Sequence, residues 1–370
     1  MKNFKFLSYN AKKKSLETIY LFGPKIGNTF GKTLISSILV MCFFYITPIF
    51  INFVSQEILV EEFENKSRKI MIYKLSGKGS DKNNDKDIPQ NILDEKDLLS
   101  DILILNDADN DTVRLNTSTI SKLFEDTNYK LNDVRKNKLV KPVALTWLPY
   151  EIKQIQSTNK RKELFIQIIL PLILEENNNI KLDRIKLFSI INKSNNTELE
   201  KRWLNKKYKQ YGVKSKDIST LKIRMDEIPT SLALAQAAKE TGWGTSRFAL
   251  EGNALFGQWT WSGEGLKPKD SEGNKDHKVM KFNILQASVR AYQRNLNTHK
   301  SYKEFRKARA ELRSNGKELD SIILSKHLDK YAETGTKYVE ILQQIIEQNS
   351  LKDFDDAKLL PSSKKLESLI

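Results

Sequence analysis

Apolar residues are spread unevenly along this chain, and their spacing divides it. Residues 33–54 (TLISSILVMCFFYITPIFINFV) form an uncharged, predominantly apolar run, about the length a helix needs to cross a bilayer. Residues 74–90 (KLSGKGSDKNNDKDIPQ) are polar and nearly devoid of apolar side chains, which predicts a surface loop or linker. The spacing of Leu and Ile predicts a short helix over 92–105, then a turn-rich break at 106–111 (NDADND). Residues 113–148 read as short strands, including V-A-L-T-W-L before Pro149. From Pro149 onward the spacing is helical. Residues 164–174 (LFIQIILPLIL) are too short to span a membrane and read as a core helix broken by Pro171. Further helices are predicted at 183–192, 197–211, 285–297, 302–314, 318–327 and 336–348. Between them, 263–274 is polar and contains glycine, predicting a small β-hairpin with 277–282 as its returning strand. The segment from 351 reads as a charged, frayed tail.

One stretch departs from the ordinary pattern. Residues 228–230 (IPT) predict a helix start, with Pro229 tolerated in a first turn and Thr230 available as a cap. The small and apolar residues Leu232, Leu234, Ala235, Ala237 and Ala238 then suit a helix packed from several sides. Glu240 falls in the last turn, because Gly242 and Gly244 supply the stop. A carboxylate there opposes the helix dipole by several tenths of a kcal/mol, and such a breach is expected where function overrides stability. The negative helix end, with burial against Trp243, predicts a raised pKa for Glu240. A carboxylic acid kept protonated in this way can hand its proton to a leaving glycosidic oxygen. Downstream, Phe256, Trp259 and Trp261 offer flat faces for sugar rings, and Asn253 and Gln258 offer amides for hydroxyl or N-acetyl groups.

These residues carry a resemblance. A-Q-A-A-K-E-T-G-W-G (235–244) followed by G-N-A-L-F-G-Q-W (252–259) resembles the signature of the glucosaminidase domain of glycoside hydrolase family 73, lysozyme-like enzymes that cut peptidoglycan. Within that superfamily the chain is most similar to the Bax-like proteins, on residues 213–238, F-G-Q-W-T-W (256–261), N-L-N-T-H-K-S-Y (295–302) and R-K-E-L-F-I-Q-I-I-L-P-L-I-L-E-E-N (161–177). The resemblance spans about residues 140–350. It implies Glu240 as general acid, Tyr331 and Tyr338 of Y-A-E-T-G-T-K-Y as residues lining a cleft, and Asn253 and Phe256 as shaping its floor. The family often places a second carboxylate on a small hairpin. Glu264, Asp270, Glu272 and Asp276 occupy that interval here, and no spacing singles one out.

Charge predicts the topology of the N-terminus. Lys2, Lys5, Lys12, Lys13, Lys14, Lys25 and Lys32 precede the apolar run against one acid, Glu17. The positive-inside rule puts this end in the cytoplasm and everything after Val54 outside. A cleaved signal peptide fits less well, because the basic region and apolar core are long and no A-x-A-like site follows. The sole cysteine, Cys42, lies inside this run, and the three histidines are scattered without metal-ligand spacing. Asp107, Asp109 and Asp111 lack the glycine and terminal glutamate of a calcium loop. No cofactor or metal is called for. The formal net charge of +16 raises nucleic acid as a partner. The lysines are spread over the whole chain without a nucleic-acid motif, and suit an anionic wall or membrane surface instead.

The expected fold is mostly α: a lysozyme-like helical domain with a small β-hairpin lobe, preceded by extra helices and one N-terminal transmembrane helix. The expected segments are a basic cytoplasmic stretch (1–32), an anchor (33–54), a membrane-proximal region (55–139), a helical extension (140–225), a glucosaminidase-like domain (226–350) and a tail (351–370). The expected function is a peptidoglycan glycan-strand hydrolase of the inner membrane with its catalytic domain in the periplasm, an endo-β-N-acetylglucosaminidase as the resemblance implies. Glu240 is the acid, and Trp243, Asn253, Phe256, Gln258, Trp259, Trp261, Tyr331 and Tyr338 form the substrate site. Lytic transglycosylase, muramidase and a non-catalytic wall-binding module are the alternatives. Carboxylates about 5 Å apart would mean retention, about 6.5–9.5 Å inversion, and a single acid substrate assistance.

Overall fold

The computed structural model describes residues 98–106, 113–260, 265–267 and 278–361, with backbone alone at Trp259 and Thr260. The apolar run at 33–54 lies outside these residues. Among those described, no helix is long and apolar enough to cross a membrane.

Helix α1 spans 98–106. The expected strands of 113–148 are instead mainly helical, as α2 (Thr117–Asp126) and α3 (Leu131–Asn137), and only Leu139–Val140 forms a strand, β1. Asn116 caps α2 through its side chain on the Thr119 amide at 2.8 Å. Ile120 and Phe124, one turn apart, bury the inner face of α2. The V-A-L-T-W-L segment is irregular.

Helix α4 (Thr158–Ile191) runs unbroken for 34 residues through Pro171, joining two helices that the sequence separates. A proline inside a helix costs about 3 kcal/mol. Leu164, Phe165, Ile168, Ile169, Leu172 and Ile173 are all buried around it, and each contributes about 1.5–3 kcal/mol. Burial on both sides therefore outweighs the lost hydrogen bond. Then come α5 (Glu198–Gln210), closed by a Thr197–Glu200 capping box, and α6 (Ile218–Arg224).

Helix α7 (Thr230–Thr241) is the central element, with every side chain from Thr230 to Ala238 buried. Pro229, not Thr230, is its N-cap residue, and it has no capping side chain. Asp355 takes that role from far along the chain, accepting from the Ser231 amide at 2.7 Å and the Ser231 hydroxyl at 2.8 Å. Helix α7 packs on α4 and on α11 (Ser321–Ser325), α12 (Thr336–Gln348) and the 3-10 turn Leu351–Phe354. The segment after Ser350 is thus no frayed tail: Leu351 and Phe354 are buried, and β5 (Lys358–Leu359) pairs in parallel with β1. One core runs from Ile120 to Ala357, across 139/140 and 350/351, the limits of the resemblance.

After α7 come α8 (Arg247–Gly252), β2 (Trp259–Thr260), β3 (Gly265–Leu266) and β4 (Lys278–Met280). The strands form an antiparallel sheet in the order β2-β4-β3. The returning strand is therefore central in a three-stranded sheet where a two-stranded hairpin was expected. Helices α9 (Leu285–Thr298) and α10 (Lys303–Ser314) complete the framework.

Candidate active site

The end of α7 is built from local chemistry. The amides of Gly242 and Trp243 both bond the carbonyl of Ala238, and Gly242, Trp243 and Gly244 all hold positive φ (57°, 60° and 83°). The Thr241 hydroxyl donates to the Ala237 carbonyl at 2.6 Å and accepts from the Gly244 amide at 2.9 Å, which pins the turn. A Cβ at Gly244 would come within 3.0–3.3 Å of Phe165, Ile152 and Leu148, so only glycine fits against the core there. Glu240 stands in this last turn, half-buried.

Tyrosines surround its carboxyl. Tyr338 hydrogen-bonds it from α12, and Tyr302 and Tyr331 lie close enough for its charge to push their pKa values up. Tyr331 stacks on Tyr338 (5.4 Å, 9°) and approaches Tyr302 (5.9 Å). Burial pushes the Glu240 carboxyl above the usual glutamate range, outweighing the bond from Tyr338 and the nearby Lys239, which pull it down. Burial likewise takes Tyr302 up to about 12. The site therefore holds a carboxylic acid whose proton is retained to higher pH, which is what a general acid needs.

The other expected site residues divide. Tyr331 is half-exposed, and its hydroxyl donates to the Phe256 carbonyl at 2.8 Å, tying the loop before α12 to the aromatic turn. Tyr338 is 1 % exposed, so it meets Glu240 from behind and does not line an open cleft. Asn253 is fully buried in the left-handed conformation, with its amide donating to the carbonyls of Thr146 and Phe282. Phe256 is buried and stacked on Tyr292 at 3.8 Å. Asn253 and Phe256 are therefore part of the buried floor. Trp243 is engaged edge-on by Phe165 at 5.9 Å, with the Lys162 ammonium 4.9 Å over its ring. Gln258 is half-buried, and its backbone carbonyl accepts from Met280 at 2.8 Å. Trp259 lies on β2, and Trp261 with Glu264, Asp270, Glu272 and Asp276 lies outside the described residues.

Sequence reasoning missed Gln236, Tyr292, Tyr302 and Gly257. Gln236 carried a signal: it is the polar residue one turn before Glu240 in a run of small apolar ones. The tyrosines reach the site from α9 and the turn beside it, which no local pattern reveals. A polar cavity of about 350 Å³, whose walls include Glu176, Arg290 and Arg294, contains none of the expected site residues. Among the described residues, no cluster of His, Cys, Asp and Glu is placed to hold a metal.

A mainly helical core, a small sheet and a carboxyl raised by burial at a helix end are the features of a glycosidase of the lysozyme-like kind. The glucosaminidase family model, described as mannosyl-glycoprotein endo-beta-N-acetylglucosaminidase, matches residues 216–351. Protein bax of Escherichia coli (strain K12) is 33% identical over 206 residues, which cover 54% of this chain and 73% of that protein. The crystal structure of the catalytic domain of the autolysin Auto from Listeria monocytogenes covers 49% of this chain and 97% of its own, at 20% identity and a TM-score of 0.28. The chain belongs to the Bax-like glucosaminidases and is a glycoside hydrolase.

Proposed function

We propose that this chain is an endo-β-N-acetylglucosaminidase of peptidoglycan, held at the inner membrane by residues 33–54 with its catalytic domain in the periplasm. The single observation behind the mechanism is the half-buried Glu240 carboxyl, raised by burial and bonded to Tyr338. Glu240 protonates the leaving glycosidic oxygen as the bond to the anomeric carbon breaks. Half-exposed Tyr331, with Trp259 and Trp261 from the β-lobe sequence, offers faces for the sugars. The uncharged apolar run and the seven lysines before it support the anchor.

A second reading concerns the other half of the reaction. Among the described residues, no carboxylate contributes to the shift of Glu240. That favours either a base among Glu264, Asp270, Glu272 and Asp276 or attack by the substrate's own acetamido group.

Digestion of purified sacculi by the full-length chain, with reduction and mass analysis of the products, tests the function. Reduced glucosamine ends are expected. Reduced muramic ends would make it a muramidase, and anhydro-muramic ends a lytic transglycosylase. Glu240→Gln keeps the size of the side chain and removes the transferable proton, so cleavage should drop by about a thousandfold or more, within the range attributed to acid catalysis and its supports. Near wild-type cleavage by this variant would remove Glu240 from the role.

A further inference from the structure

Glu240 is the end of a line of hydrogen bonds. The Tyr292 hydroxyl donates to Gln236 Oε1 at 2.7 Å, and Gln236 Nε2 donates to the Tyr338 hydroxyl at 3.0 Å. Tyr338 in turn bonds the Glu240 carboxyl. Gln236 and Tyr292 are fully buried and Tyr338 nearly so, which leaves water no access to replace a partner. The rings are held independently: Tyr292 stacks on Phe256 at 3.8 Å and 8°, and Tyr338 on Tyr331 at 5.4 Å and 9°.

Each link in this line has a direction. A phenol carries one proton, so a tyrosine that accepts from one neighbour has its own proton free for the other. Gln236 turns its NH2 toward Tyr338, which makes that oxygen an acceptor and directs the Tyr338 proton to Glu240. Gln236 is held in that sense because the proton of Tyr292 occupies its carbonyl oxygen. With the amide reversed, the buried Tyr292 hydroxyl would lose this acceptor, and a buried donor left unpaired is costly.

We propose that Gln236 and Tyr292 are positioning residues that set the polarity of this line. Tyr338 is thereby made a permanent donor to one carboxyl oxygen of Glu240, and the acidic proton is kept on the other oxygen. The inference rests on Glu240 being the general acid. In the opposite polarity, Glu240 would donate its proton to Tyr338, and the acid would be engaged by the protein instead of the substrate. No proton travels along the line. The only one transferred passes from the second oxygen of Glu240 to the glycosidic oxygen, which receives the bonding pair as its bond to carbon breaks.

The donated bond also stabilises the ionised carboxyl and so limits how far burial raises it. Loss of the polarity lets protonated Glu240 turn its proton onto Tyr338, which stabilises the acid form and raises the pKa further. An acid catalyst stops working above its pKa, and the alkaline limb of kcat/KM reports that value in the free enzyme.

The test is the pH profile of kcat/KM for sacculus cleavage by the full-length chain, in wild type, Tyr292→Phe and Gln236→Glu. Tyr292→Phe removes one hydroxyl and leaves the ring on Phe256. Gln236→Glu replaces the amide donor with a carboxylate that takes the Tyr338 proton for itself. A hydrogen bond to a charged group contributes about 1.5–3 kcal/mol, so the alkaline limb should move up by about one to two pH units in either variant. Stability lost as pH rises would move the limb down, opposite to the expected shift, so partial unfolding does not mimic the result. A lower rate with the limb unmoved in both variants would overturn the proposal and leave the hydroxyls as packing groups. Wild-type activity of Glu240→Gln is a separate outcome, since it removes the acid itself.

Discussion

Gly257 leaves the space that the carboxyl of Glu240 occupies. A Cβ built on Gly257 would lie 3.2 Å from Glu240 Oε2, and its backbone holds a φ of +61°. The glycine of F-G-Q-W and the acid of A-A-K-E are thus one structural unit, joined across 16 positions of intervening chain (241–256).

Gly257→Ala tests that unit. A side chain in the left-handed region costs about 1–2 kcal/mol, and the methyl crowds the carboxyl as well. Thermal melting should show a loss of this size, while kcat should fall more steeply than stability because the acid is displaced. Activity at the wild-type level at a temperature where the variant is folded would show that the carboxyl tolerates the shift.

Tyr331→Phe should separate anchoring from stacking. The change removes the 2.8 Å bond to the Phe256 carbonyl and keeps the ring on Tyr338. A neutral hydrogen bond contributes about 1 kcal/mol, so folding should weaken only slightly. The loop before α12 loses its tie to the aromatic turn, and KM for glycan fragments should rise severalfold. Steady-state kinetics on soluble fragments decides it.

Asp226 anchors the start of α7. It is 2 % exposed and takes Arg313 at 3.1 Å, with Arg309 and Arg184 each at 3.8 Å. Burial alone would raise its pKa, but these arginines outweigh it and hold the carboxyl below the usual range. Arg309 is fully buried, and burial lowers its pKa to about 10. Asp226→Asn leaves that guanidinium without its counter-charge, which typically costs about 3–5 kcal/mol. Urea unfolding should show a loss of this order. A loss below about 1 kcal/mol would mean that the backbone carbonyls of Ile223, Asp226 and Glu227, which also bind Arg309, suffice alone.

Asp355 gives folding a pH dependence of its own. Burial raises its carboxyl to about 6, against the two bonds from Ser231 that pull it down. The folded chain therefore holds this proton more tightly than the unfolded chain does. The resulting stability is fully present below the ordinary value near 3.8 and is lost as pH rises through about 6. The stability of wild type relative to Asp355→Asn should fall across that window and be flat above it. Parallel curves from pH 4 to 7 would show an unshifted Asp355. At neutral pH, Asp355→Ala should cost about 1 kcal/mol, as for other lost N-caps.

Legibility followed range. Glu240 was readable because it sits two residues before the glycine that stops its helix, and capping acts within a single turn. The helices at 285–297 and 336–348 were readable from their spacing and match α9 and α12 closely. Pro171 misled because a local rule was applied where apolar burial over many turns decides the outcome. The region 113–148 misled because short apolar stretches such as V-A-L-T-W-L suggested strands, while Asn116 capped a helix. Asn253 and Tyr338 matched the family motif yet proved buried. A motif records that a residue is needed, not whether it faces ligand or core.

By itself the sequence determined the helical class, the acid at a helix end, the glycines around it and the basic flank of the apolar N-terminal run. These follow from charge, chirality and hydrogen bonding over a few residues. Only the tertiary structure decided what surrounds Glu240. Tyr338 reaches Gln236 over 102 positions, and Asp355 reaches Ser231 over 124. Such pairs form because burying apolar surface brings distant segments together and leaves each buried polar group to find a partner among whatever side chains arrive.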